Sequence, residues 1–447
     1  MELKTANAKN DITLPKNVGS KPTLTAEDCI CGSFGSYINF ELWNGWIMCP
    51  SYGGILCENL IFSNMVYNLL LMNDLSWVEI SEEALKNNVR QFRGLVGGDV
   101  ILCACVKANS YGHGLVDCAR AFLDGGADWL AVNAIFEARE LRGSGIKAPI
   151  CILGYVPQAD LEEAIKLECR LVVYNKETIS KLGKINKPVK IHIKIETGNN
   201  RQGVLLNDLI EFVQYIKTFK KIEIEGLSTH FANIEDTTDH SYAELQLKRF
   251  NDAIKKLESI GVNVPIKHCA NSAATILFPK THFQMVRIGI GLYGLWPSKE
   301  TFTSYAKKIG DGFNLKPALT WKSKIAQIKT VPAGEFIGYG CTYKTGHETK
   351  LAIIPVGYYD GYDRGISGSG GYVLIRGKRA PIRGRICMNI FMVEVTDIPD
   401  VRLEDEVILI GKSGDEEITA SQFGEWAGTI NYEVTTRINE RVPRISG

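Results

Sequence analysis

The feature that most constrains this chain is a change of grain at Trp77. From there to about Gly310, short apolar runs alternate with longer amphipathic ones. WVEIS is followed by a helical stretch from Glu82, then by VILCACVKA and a helix near 115–123 that ends at Gly125-Gly126. The alternation continues through WLAV, FEARELRGSG, PICILG, LVVY, VKIHIKIET, IEIEGLSTHF, PIKHCAN and MVRIGIGLYG. Apolar runs of that length, bounded by turns and separated by helices closing in glycine, fit parallel strands. About eight βα units over some 230 residues predict a closed (β/α)₈ TIM barrel over residues 75–310, not an open doubly wound sheet. Ser81 is the expected N-cap of the first helix, with Glu82 and Glu83 favourable in its first turn.

Past that point the helical pattern stops. ALTWKSKIAQIKTV, KLAIIPVGY, GYVLIRGKRAPIRGRI, FMVEVTDI and DEVILIG are short β-rich runs separated by Gly, Pro and Asp turns. Residues 311–447 are therefore expected to form an all-β domain. Residues 1–74 have no sustained period, although they hold four of the twelve cysteines. They are expected to be an irregular, poorly ordered extension or upstream sequence outside the working unit. The other reading is an accessory interaction segment.

Composition narrows the function classes. Apolar residues are 45% and charged residues 23%, which excludes a disordered, collagen-like or small disulfide-stapled chain. Fifty-one Lys and Arg against fifty Asp and Glu leave a net charge of +1, so nonspecific nucleic-acid binding has no electrostatic footprint. The cysteines lack paired zinc-type spacing, so no metal site is expected, and their scatter suits a reducing cytoplasm. The most apolar stretch, Ile55 to Met72, is interrupted by Glu58, Asn59, Asn64 and Asn68, and no membrane span is expected.

Side chains at the C-terminal ends of barrel strands face the active site. Lys107 leaves an apolar strand into the turn ANSYGHG. Desolvation there would lower its amine pKa and suit it to form a Schiff base with a carbonyl cofactor, although a snorkelling lysine is an equal reading.

The wording around Lys107 carries more. VKANSYGHG resembles the pyridoxal-phosphate signature of the alanine racemase family. The likeness runs on through Glu137, Ala138, Leu141 and Arg142, ETGNNRQG, THFA, ANSAA, VRIGIGLYGL, IGYGCTY, PVGYYDGYDR, GRICM and RVPRI, in the family's order. It covers about residues 75 to 447. On that resemblance Lys107 would carry pyridoxal 5'-phosphate and act as base on one face of the substrate, with Tyr339 on the other. Racemisation needs two such groups, because the proton leaves Cα on one side and returns on the other. A phenol needs neighbouring positive charge to serve as a base at neutral pH.

His230 and Arg287 match the family positions for such a network, and the arginine would bond the pyridine nitrogen. Guanidinium holds its proton, so the ring nitrogen should stay unprotonated. Tyr111, Asn271 and Ser272, with the N–H groups of Gly289 and Ile290, match the family's cofactor contacts near the seventh and eighth strands. Arg201 and Met388 match its substrate-carboxylate positions, and Arg suits a planar carboxylate. Tyr358 matches a tyrosine at the mouth of the site. Lys194 matches a lysine that is carbamylated in some members. In the family the tyrosine equivalent to Tyr339 reaches the partner's site, so a head-to-tail homodimer is implied.

Three departures stand out. Asn389 follows Met388 where Asp is common, ETGNNRQG replaces DTGM.RLG, and Glu440 stands where many members have a tyrosine near the substrate methyl. A carboxylate against a methyl is costly, so a serine or broad-specificity racemase is the alternative to an alanine racemase. From other classes, a pyridoxal-phosphate carrier would share the barrel alone, and a decarboxylase of this barrel type is disfavoured by Arg287. The expectation is a cytoplasmic enzyme supplying D-alanine for peptidoglycan.

Overall fold

The computed structural model describes residues 41–43, 46–48, 75–308 and 312–447. Strands β1 (Glu41–Trp43) and β2 (Trp46–Met48) pair antiparallel, Glu41 opposite Met48. They belong to a unit spanning Met1–Tyr67, separate from the unit Asn68–Gly447. The expectation of a poorly ordered extension otherwise falls outside the described residues.

The barrel is built from β4 (Ile101–Cys105), β5 (Trp129–Val132), β6 (Ile150–Ile152), β7 (Cys169–Val173), β8 (Val189–Lys194), β9 (Ile222–Ser228), β10 (Ile266–His268) and β11 (Met285–Ile288). All pair in parallel, in the order β10-β9-β8-β7-β6-β5-β4-β11. Gln284 N donates to Lys267 O at 3.3 Å and Arg287 N to Ala270 O at 3.0 Å, which closes the ring between β10 and β11. These strands have helices outside and packed side chains inside, so β5 and β6 are buried at every residue. The helix Glu82–Val96 shows the local logic. Ser81 accepts from Ala84 N, and the face Leu85, Val89, Phe92 and Val96 is buried.

One expectation is corrected. β3 (Ser76–Ile80), the WVEIS run that opened the barrel in the sequence reading, is not a barrel strand. It pairs antiparallel with β12 (Leu319–Lys324) and parallel with the last strand, Arg444–Ser446. An apolar pattern of period 2 does not name its partner, and the barrel ring closes between β10 and β11 without β3. The C-terminal region is β-rich around this sheet, with a second sheet of Gln327–Val331, Thr349–Ile354 and Phe391–Glu394. It also carries two short helices, Ala420–Ala427 and Asn431–Arg437, which an all-β reading lacks. Among the described residues, no helix is long and apolar enough to cross a membrane.

Candidate active site

A cavity of about 610 Å³ opens at the C-terminal ends of the barrel strands. Lys107 borders it, just past β4. The residues after Lys107 form a left-handed turn, with φ of 53°, 51°, 52° and 53° at Ala108, Asn109, Ser110 and Tyr111. Such backbone is unfavourable for L-residues and persists only where the surroundings over-determine it. Glu137 restrains it together with backbone bonds such as Ser110 N to Val106 O at 2.9 Å and Gly112 N to Ala108 O at 3.0 Å. This buried carboxylate accepts from Ala108 N at 2.6 Å, Asn133 N at 2.7 Å and Ala134 N at 2.9 Å. It ties the lysine turn to the loop after β5.

The ends of β10 and β11 converge beside that turn. Ser272 Oγ accepts from Gly289 N at 3.1 Å and Gly291 N at 3.3 Å, and Asn271 Oδ1 accepts from Ala274 N at 2.9 Å. Tyr111 Oη lies over Gly289 so closely that a Cβ there would sit 2.4 Å away. A hydroxyl pair and clustered backbone N–H groups, kept open by glycine, form a cradle that suits a phosphate monoester.

Arg287, at the end of the barrel, is buried. Its Nη2 donates to Thr229 O at 2.9 Å and lies 3.5 Å from His230 Nδ1, while Nη1 donates to His268 Nδ1. Burial, then the charge of Arg287, holds the His230 imidazole well below its ordinary pKa, so the ring is neutral. Lys194 ends β8 and donates to Gln202 Oε1 at 3.2 Å. Burial, then Arg287 and Arg201, pull its amine down to about 8. Backbone N–H groups of residues 198–201 turn onto the Glu196 carboxylate, which they hold low against the effect of burial.

Lys107, Tyr111, Arg201, His230, Asn271, Ser272, Arg287, Gly289 and Ile290 all border this cavity. Tyr339, Tyr358 and Met388 do not. They stand on the C-terminal region, with Tyr339 72% and Met388 55% exposed. Their loops do lie together. Tyr358 N donates to Cys387 O at 3.1 Å, and a Cβ at Gly340 would touch the Arg385 guanidinium. Glu440 is exposed and does not border the cavity.

The sequence reading missed Tyr432 and Glu235. Tyr432, on the helix Asn431–Arg437, reaches the cavity from the C-terminal region and donates to Glu235 Oε2 at 2.8 Å. Asn271 Nδ2 donates to the other carboxylate oxygen. Burial raises the Glu235 pKa, and these two bonds oppose it. The spacing Thr419-x-x-Gln422 was a usable start signal for the helix Ala420–Ala427, since Thr419 accepts from Gln422 N, but the helix that carries Tyr432 starts at Ile430 with no side-chain cap.

Comparison with known proteins agrees with this geometry. The profile "Alanine racemase, N-terminal domain" matches residues 80–297, and "Alanine racemase, C-terminal domain" matches 318–446. The chain is 42% identical over 373 residues to the alanine racemase of Halothermothrix orenii, covering 83% of this chain and 96% of that one. It is 41% identical to that of Methanococcus maripaludis, covering 83% and 98%. Among solved structures, alanine racemase from Bacillus anthracis with bound L-Ala-P superposes with a TM-score of 0.78 at 39% identity, covering 83% and 95%. The Clostridium difficile 630 enzyme in complex with cycloserine gives 0.76 at 35%, covering 84% and 96%. With both domain profiles in place and most of each relative covered, the chain belongs to the alanine racemase family.

Proposed function

We propose that the protein interconverts L- and D-alanine by a two-base mechanism with pyridoxal 5'-phosphate, supplying D-alanine for peptidoglycan. The observation that carries this reading is the joint placement of Lys107, Arg287 and the Tyr111–Ser272–Gly289 cradle around one cavity. Its volume is in the range of small-molecule sites. Tyr111, Asn271, Ser272, Gly289 and Ile290 would hold the cofactor's phosphate end, Lys107 its carbonyl carbon and Arg287 its ring nitrogen. When bound, the cofactor supplies an electron sink that acidifies the Cα proton.

The chain's own groups do the rest. Lys107 takes or returns a proton on one face of Cα. Arg201 pairs with the substrate carboxylate, whose planar oxygens match a guanidinium fork. Arg287 orients the cofactor ring without yielding a proton. Tyr339 holds the proton on the opposite face, but it lies outside its own chain's cavity. We therefore infer a head-to-tail homodimer in which a second copy brings Tyr339, Tyr358 and Met388 to the site. Exposed Phe336 and Ile390 beside them favour a covered face. All eight described cysteines are free, which favours a reducing cytoplasm. Alanine is favoured over serine, because Glu440 does not reach the cavity.

The test is a turnover panel of alanine, serine and lysine enantiomers on one preparation, with Lys107→Ala beside it. Wild type should be yellow and racemise alanine fastest, whereas Lys107→Ala should be colourless and inactive. A colourless wild type that cannot take up pyridoxal phosphate would sink the reading. Serine turning over faster than alanine would favour the broad-specificity alternative.

A further inference from the structure

A line of hydrogen bonds runs through the barrel interior, away from the cavity. Arg287 Nη1 meets His268 Nδ1, His268 Nε2 lies 2.8 Å from His192 Nδ1, and His192 Nε2 lies 3.2 Å from Glu225 Oε2. His192 and His268 are fully buried and Glu225 nearly so. At the far end Lys190 Nζ donates to Glu225 Oε1 at 2.8 Å and Arg170 Nε to Oε2 at 3.3 Å. Arg170 is itself held over the Trp129 ring at 4.8 Å.

Only one arrangement of protons satisfies every contact. A guanidinium can only donate, so His268 Nδ1 must accept. The remaining proton of a neutral His268 is then on Nε2, and it points at His192. His192 Nδ1 must therefore accept, which leaves its proton on Nε2, facing the carboxylate. The opposite polarity would set two N–H groups against each other. An imidazolium at either ring would do the same.

The titratable groups around the line agree with this assignment. Burial and the charges of Arg287, His192 and Lys194 hold His268 far below its ordinary pKa. Burial lowers His192 as well, against the pull of Glu225. Burial favours the neutral form of Glu225, but His192, Lys190 and Arg170 overcome it and bring the carboxyl down to about 2. The neighbouring thiols stay protonated, with burial raising Cys103 and taking Cys151 and Cys269 up to about 12.

Two backbone features serve this line. The β8–β9 register jumps between Ile191, opposite Ile224, and His192, opposite Gly226, so Glu225 is the extra residue of a bulge. A bulge re-aims a side chain, and here it brings a carboxylate to the histidine. Gly226 makes room for the ring, because a Cβ there would lie 2.3 Å from His192 Nδ1.

We propose that Glu225, acting through His192 and His268, is a positioning residue for Arg287, fixing its guanidinium by a one-way hydrogen-bond chain anchored on a buried anion. Its relevance to catalysis rests on the proposed role of Arg287 at the cofactor ring nitrogen. The chain does not conduct protons, since its first member cannot release one and its polarity has no mirror state. It is a clamp. With Nη2 on Thr229 O and Cys269 O and Nη1 on His268, the plane of the guanidinium is set, and the N–H on Nε and the second on Nη1 are left for a ligand.

The first measurement needs no variant and no assumption about the reaction. In protein labelled with ring-¹⁵N histidine, His192 and His268 should both be neutral with the proton on Nε2, unchanged between about pH 6 and 9. A doubly protonated ring, or an Nδ1–H at either residue, would overturn the proposal. The second uses Glu225→Gln, which keeps the shape and removes the charge. Arg287 should keep both rings in the Nε2–H form, but the visible band of bound cofactor should move and kcat should fall about ten-fold with KM little changed, by analogy with loss of the outer hydrogen-bond partner of a metal ligand. Gly226→Ala, which pushes on the imidazole and leaves the carboxylate, should move the same band. If Glu225→Gln keeps the wild-type band and kcat, Glu225 only fills space and the idea is wrong. A protein that binds no pyridoxal phosphate would defeat the functional reading while the nitrogen spectra still decide the chain.

Discussion

Lys194 stands at the end of β8 in the field of two guanidinium groups. Burial is the largest cause of its depressed pKa, followed by Arg287 and Arg201, and together they bring it to about 8. The sign of the consequence follows directly. The unfolded chain holds this proton up to the ordinary 10.5, so between 8 and 10.5 it binds more protons than the folded one. This group's contribution to stability therefore rises with pH across that window, and its full cost is present below 8. A neutral amine is also the form that reacts with carbon dioxide, releasing a proton and leaving a carbamate anion between two arginines. With ¹³C-bicarbonate we expect a protein carbamate resonance that grows as pH rises through about 8 and is absent in Lys194→Arg. A resonance that survives that substitution would place the reactive amine elsewhere. The family likeness pointed to Lys194 and its pairing with Arg201 but not to Arg287, which meets it only through the fold.

At the scale of elements, the turn that carries Lys107 departs most from what local sequence favours. Asn109 tolerates left-handed backbone, but Ala108, Ser110 and Tyr111 do not. VKANSYGHG suggested a glycine turn after a strand. One feature that holds it, three N–H groups on Glu137, is 29 residues from Ala108 and could not be read locally. Glu137→Gln keeps the size but points amide hydrogens at backbone N–H groups. We expect a loss of about 3 kcal/mol in chemical denaturation, on the scale of charged hydrogen bonds broken in a buried site, and weaker cofactor retention. An unchanged denaturation midpoint would mean that the turn is held by Gly112 and the neighbouring backbone bonds. The barrel strands themselves were legible, because strands buried on both faces are continuous apolar runs. The bulge at Glu225 was not, since only Gly226 marks it. β3 was misassigned because its pattern fits either sheet.

For the whole molecule, eight strand–helix alternations followed by turn-rich β runs were enough to order the two regions. The helices Ala420–Ala427 and Asn431–Arg437 were missed, since two turns are too short to show a period. That miss also hid Tyr432, the C-terminal region's own contribution to the cavity. A chain starting at Met72 keeps every described element from β3 onward and the whole matched profile, so it should melt and turn over as the full chain does. A truncated protein that fails to fold would make residues 1–71 structural. The proposed homodimer would complete the site at a larger scale still, because Lys107 borders a cavity that its own Tyr339 does not line. If a second copy supplies that tyrosine, mixing two inactive proteins restores activity. Lys107→Ala lacks the lysine and Tyr339→Phe lacks the phenol, yet a mixed dimer has one site with Lys107 from the second and Tyr339 from the first. Half of randomly assorted dimers are mixed and each has one intact site of two, so refolding or co-expressing the pair should recover about a quarter of wild-type turnover. Placing both substitutions on one chain and mixing it with wild type should leave the same fraction per chain pair, since each mixed site then lacks one group. An inactive first mixture with mixed dimers demonstrably present, beside half of wild-type turnover in the second, would mean that each chain uses its own Tyr339 and that sites are not shared.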